Sequence, residues 1–137
     1  MIEKVIKYED FNGVEREEKF YFHISKAEMS RKEFTTQGGY AGYLERIVKE
    51  KDSTELYKIF EEIIGLAYGE KSDDGRRLIK ERNGESLFKQ FQETPAYDEL
   101  IMELFDAEKA AEFMKGIFPK DVTSKIDEGE IKRQIAG

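Results

Sequence analysis

The sequence contains no cysteine. That excludes disulfides, thiolate metal sites and cysteine nucleophiles, and it fits a reducing compartment. Long apolar runs are missing too: nothing approaches the roughly 20 apolar residues of a membrane helix. The first residues, MIEKVIKYED, lack the uncharged apolar core of a signal peptide. There is no basic excess. The net charge of −7 disfavours nucleic acid and anionic membrane surfaces, because phosphate binding needs a basic face. The only histidine, His23, has no recognisable acid–base partner near it in sequence. It reads as a partly exposed residue at a strand end. These absences together predict a cytoplasmic protein with no catalytic residue, no cofactor and no metal.

What is present points to one folded domain. The chain has 137 residues, enough for a single core, and 39% of them are charged. Ten Phe and seven Tyr in ordered periodicity argue against disorder. The strongest pattern is STELYKIFEEIIGLAYG from Ser53 to Gly69. Leu56, Ile59, Phe60, Ile63, Ile64 and Ala67 fall on one helical stripe, leaving Glu55, Lys58, Glu61 and Glu62 on the wet side. Gly69 is where a left-handed residue would end that helix.

Residues 1–24 read as a β-hairpin. Asn12-Gly13 suits a two-residue type I′ turn, which sets Val5 opposite Phe20, Lys7 opposite Glu18, Glu9 opposite Arg16 and Phe11 opposite Val14. Phe20-Tyr21-Phe22 is apolar on both faces, so helices should cover at least one side. Ser25 with Glu28 forms a capping box for a helix reaching about Phe34. Tyr40 to Lys51 predicts another, with Tyr43, Leu44, Ile47 and Val48 inward. Asp74-Gly75 marks a turn, in either a small hairpin or an irregular loop. Further helices are expected over Glu85–Glu93, from Thr94-Pro95 with Tyr97, Leu100, Ile101, Leu104 and Phe105 inward, and from Ala107 to Lys115 after an Asp106 cap. Gly116 and Pro119 should stop the last one.

The predicted fold class is α+β, mainly α: an N-terminal hairpin followed by a compact bundle of about five or six short helices. The hairpin (1–24) and helical part (25–118) make one globular domain over residues 1–120, with a loose tail at 121–137.

Several motifs have a chemical reading and a plainer one. Asp73-Asp74-Gly75 lacks the alternating oxygens and closing glutamate of a calcium loop, so it reads as a turn. Arg76-Arg77 with Lys71 and Lys80 suggests an anion site, but in so acidic a chain it fits a solvated loop or a contact with an acidic partner better. Gly38-Gly39-Tyr40-Ala41-Gly42 precedes a helix, yet lacks the lysine and Ser/Thr of a phosphate loop; it reads as a connector. Glu61-Glu62 reads as solvated. Phe105, Phe113, Ile117 and Phe118 are many apolar groups for two short elements. Most close the core on the plain reading, while any left exposed form a protein-binding patch.

Three stretches carry a family resemblance: DFNGVEREEKFYFHISKAEM, GGYAGYLERIVKEKDSTELYKIFEEIIGLAYGEKSDDGRRLIK and FQETPAYDELIMELFDAEKAAEFMKGIFPKD. In their order, over roughly residues 5 to 121, the chain resembles the tail assembly chaperones of tailed phages and prophages of Gram-positive bacteria. The resemblance implies a non-enzymatic protein of the infected cell's cytoplasm. It would bind the long, helical, apolar tape measure protein, keep it soluble and help tail tube subunits polymerise around it. Helix-in-groove binding would use the aromatic surfaces just named. Two other classes stay open: a structural tail or virion component, and a small acidic adaptor that binds a host protein. The sequence leaves the oligomeric state open.

Overall fold

A computed structural model of the chain describes residues 1–40, 42–43, 46 and 53–117. The N-terminal hairpin is present, as β1 (Ile2–Glu9) and β2 (Glu15–Phe22), but its turn differs from the expected one. Only Gly13 has a positive φ, at +80°, and Asn12 does not, which rules out type I′. The Gly13 amide donates to the Asp10 carbonyl at 3.0 Å and the Asp10 amide to the Val14 carbonyl at 2.9 Å, closing a three-residue loop. Asp10 explains the choice: its carboxylate accepts from the Asn12 and Val14 amides and from Arg16 Nε. The longer loop shifts the register by one residue, so Val5 pairs with Lys19, Lys7 with Glu17 and Tyr8 with Arg16.

The expectation of an N-terminal hairpin followed by a compact helical bundle is corrected by what comes after the central helix, where the turn at Asp74-Gly75 lies in a hairpin that joins the sheet. Helices α1 (Lys26–Thr35) and α2 (Ser53–Ala67) give way to strands β3 (Tyr68–Lys71) and β4 (Leu78–Ile79). These extend the hairpin into a four-stranded antiparallel sheet of order β1-β2-β3-β4. A second, two-stranded sheet follows, β5 (Glu81–Arg82) with β6 (Glu85–Ser86), and then α3 (Leu87–Gln92), α4 (Pro95–Glu103) and α5 (Ala107–Ile117). The result is an α+β fold whose helices lie on a sheet, in place of a helical bundle. Gly69 is the physical reason: it is a strand residue, pairing with Tyr21, and takes no part in a helix cap. A Cβ there would stand 2.7 Å from Leu78 and 2.9 Å from the Ile79 carbonyl, so only glycine lets β4 close on β3.

Local signals explain the remaining helices. Ser25 and Glu28 form the capping box of α1. Thr94 caps α4 with Pro95 at its first turn, and Asp106 accepts from the Lys109 amide to start α5. On α2, Ile59, Ile63, Ile64 and Ala67 are buried as the stripe requires, and Phe60 is half-buried. Tyr40, Gly42, Tyr43 and Arg46 are helical; most of the helix expected from Tyr40 to Lys51 lies outside the described residues, as do Phe118 and the tail.

Alternation along the hairpin sends Ile2, Ile6, Phe20 and Phe22 toward the helices and Glu3, Val5, Lys7 and Glu9 outward. The core is strongly aromatic. Phe22 meets Phe113 edge-on at 5.1 Å, and Tyr68 stacks on Phe91 at 4.4 Å. Gly116 lies inside α5 and does not end it: a Cβ there would be 2.5 Å from Ile2, so glycine brings α5 onto β1.

Candidate partner-binding surface

The four aromatic and aliphatic residues singled out near the C-terminal end have different fates. Phe113 (4% exposed) and Ile117 (fully buried) are core residues, and the Ile117 carbonyl also accepts from the Ile24 amide at 3.0 Å. Phe118 lies outside the described residues. Phe105 is on the surface, 67% exposed.

The corner between α4 and α5 explains that exposure. The Leu104 amide donates to the Leu100 and Ile101 carbonyls and closes α4, while the Asp106 amide donates to Glu103 and Asp106 opens α5. In so short a turn, neighbouring residues point to opposite sides. Leu104 goes inward, at 6% exposed, and Phe105 goes out. Met102, three residues back, lies opposite the buried Ala96–Tyr97–Leu100 face and is 65% exposed. Its spacing off that stripe was the signal by which the sequence could have flagged it.

Met102 and Phe105 therefore form a small apolar patch on a fixed corner. Asp98 and Glu99 are one helical turn before Met102, and Asp106 and Glu108 follow Phe105; all four are exposed. The rim is acidic. The corner is anchored to the sheet by Lys4, whose Nζ reaches Glu103 Oε1 at 2.6 Å in a half-buried pair.

The other motifs resolve toward their plainer readings. Lys80 does not join an anion site: its Nζ donates to the Leu66, Ala67 and His23 carbonyls at 2.6, 2.9 and 3.2 Å. Burial lowers its pKa, and Glu28 opposes that shift. Lys71 instead lies over the Tyr21 ring, and Arg76 and Arg77 are exposed. Asp74 accepts from Ser72 and from the Arg76 amide, as a turn residue does, and those bonds hold its carboxyl below the usual range. The Gly38-Gly39 loop faces a carboxylate, Glu33 Oε2, which stands 2.7 Å from where a Gly39 Cβ would be; that suits a phosphate badly. Tyr40 packs against Tyr43, and burial raises its pKa.

His23 is half-buried. Its amide donates to the Ala67 carbonyl at 2.9 Å, while its Nδ1 is buried without a partner. Burial, with the N-terminal and Lys80 charges, lowers its pKa. Among the described residues no group of three His, Asp or Glu is placed to hold a metal, and no helix is long and apolar enough to cross a membrane.

A family model for phage tail assembly chaperones matches residues 1–136. No curated protein and no solved structure matches the chain. With the match running over nearly its whole length, the chain belongs to the phage tail assembly chaperone family, and its role lies in tail assembly.

Proposed function

We propose that the chain acts in the cytoplasm of the infected cell, before the tail is complete, by binding apolar helical segments of the tape measure protein. The observation that carries this reading is the pair Met102 and Phe105, 65% and 67% exposed, on a capped corner and flanked along the chain by the exposed carboxylates Asp98, Glu99, Asp106 and Glu108. Such a patch suits an amphipathic helix whose apolar face meets Met102 and Phe105 and whose flanking lysines or arginines meet Asp98, Glu99, Asp106 and Glu108. A rigid aromatic and a flexible methionine adapt to many apolar faces, which suits a long, helical, apolar partner. No bond is made or broken in this role.

Co-expression with the tape measure protein of the same phage, followed by size-exclusion chromatography with light scattering, tests the reading. The expected result is a soluble complex formed only when both chains are present. Elution of this chain alone, with the tape measure protein still precipitating, overturns it.

A further inference from the structure

We propose that the free edge of β1 joins two copies of this chain, Val5 facing Val5 of the partner subunit across a two-fold axis, in one continuous eight-stranded sheet. The strand order leaves β1 at the edge, and at eight residues it is one of the two longest strands. The Asp10 amide bonds toward β2, so by antiparallel alternation the N–H and C=O groups of Glu3, Val5 and Lys7 point the other way. Among the described residues, no backbone bond from a neighbouring element reaches those three positions. An exposed row of this kind is a template for strand addition.

The side chains select the occupant and the register. With Val5 opposite Val5 of the partner subunit, Glu3 stands opposite the partner's Lys7, and Lys7 opposite the partner's Glu3. The strand is thus self-complementary in charge, with an apolar centre, since Val5 is 47% exposed in the single chain. Sliding one strand by two residues sets Glu3 against the partner's Glu9; sliding it the other way sets Glu3 against Val5 of the partner subunit. Only the central register pairs both charges. The outward groups around it are compatible: Glu3 also has Lys19 Nζ at 3.4 Å, and Lys7 has Glu17 as its cross-strand neighbour. A second copy of the same strand therefore fits this edge in length, polarity and charge.

Sedimentation velocity and light scattering on the full chain test the proposal. The expected species has twice the 16.0 kDa chain mass. Lys7→Glu sets like charges opposite each other twice and should raise the dissociation constant about tenfold or more. Adding Glu3→Lys to it restores both pairs and should restore the dimer. The double variant keeps the Lys7→Glu conflict with Glu17, so recovery can come only from across the interface. Val5→Pro removes an outward N–H that the intramolecular ladder does not use, and should leave a folded monomer. A wild-type chain that stays monomeric up to about 1 mM overturns the proposal. So does a dimer indifferent to Lys7→Glu, or one that the charge swap fails to restore.

Discussion

The Lys80 ammonium stands 2.6 Å from the Leu66 carbonyl oxygen and 2.9 Å from that of Ala67, capping the C-terminal end of α2 from outside the helix. The same group reaches the His23 carbonyl at 3.2 Å and lies 4.0 Å from Glu28 Oε2. One side chain thus joins the end of β2, the end of α2 and the first turn of α1. Its own carbonyl accepts from the Leu87 amide and ties in the start of α3.

Lys80→Met keeps the aliphatic stem and removes the donors. Carbonyls at the end of α2 then lose their charged partner, and we expect a loss of about 2 kcal/mol. A lower urea midpoint at an unchanged slope is the expected reading; an unchanged midpoint would show that water replaces the ammonium at no cost.

Gly116 and Ile2 should couple. Alanine at 116 puts a methyl 2.5 Å from Ile2, which costs about 1–3 kcal/mol of overpacking and is offset by under about 1 kcal/mol of helix propensity. Ile2→Ala makes room, so Gly116→Ala should be less harmful on that background. A double-mutant cycle from denaturant curves checks this, and strict additivity would refute the contact.

His23 predicts a pH dependence of known sign. Its folded pKa lies below the ordinary 6.5, held down by burial and then by nearby positive charge. The unfolded chain therefore takes up the proton first on acidification. Stability should fall as pH drops below 6.5, until the folded pKa is reached, and the contribution is fully regained above 6.5. With a single histidine in the chain, His23→Gln isolates it. The urea midpoint of the variant should change less than that of the wild type between about pH 7.5 and 5.5; equal slopes would exclude His23 as the cause. Asp10, held low first by its bond to Arg16, acts in a separate window, its contribution lost as pH falls below 3.8.

The helix caps are legible in the sequence. Ser25 with Glu28, Thr94 with Pro95, and Asp106 each carry a cap within three residues of the helix they start, and all three act as read. Pairing between distant segments was not legible. Tyr68-Gly69 continues a helical pattern, and only the edge of β2, more than 40 residues away, makes it a strand. The Asn12-Gly13 turn was correctly located, but Asp10 recruits an extra residue and shifts the register. The type I′ turn lies instead at Asn83-Gly84, both with positive φ, where arms of two polar residues each, β5 and β6, give no strand signal. At the candidate surface helical arithmetic fails at Phe105, which continues the inward spacing of Tyr97, Leu100, Ile101 and Leu104 but is 67% exposed because α4 closes at Leu104; elsewhere it separates the residues. Phe113 lies on the stripe of Ala110, Met114 and Ile117, and is buried; Met102 lies off the stripe of α4, and is exposed.

That division gives the last prediction its form. Phe113→Ala empties a site packed against Phe22 and should cost about 3–5 kcal/mol, destroying binding through unfolding. Met102→Ser and Phe105→Ser alter groups already in water and should move stability by less than about 0.5 kcal/mol each. If the corner holds the tape measure helix, the Met102→Ser/Phe105→Ser double variant remains folded by circular dichroism but no longer keeps the co-expressed partner soluble. Reversing the rim, with Asp98→Lys and Glu99→Lys, should weaken the complex mainly by slowing its formation, and the defect should shrink as salt is raised. A double variant that is folded and still forms the complex would move the binding surface away from the α4–α5 corner.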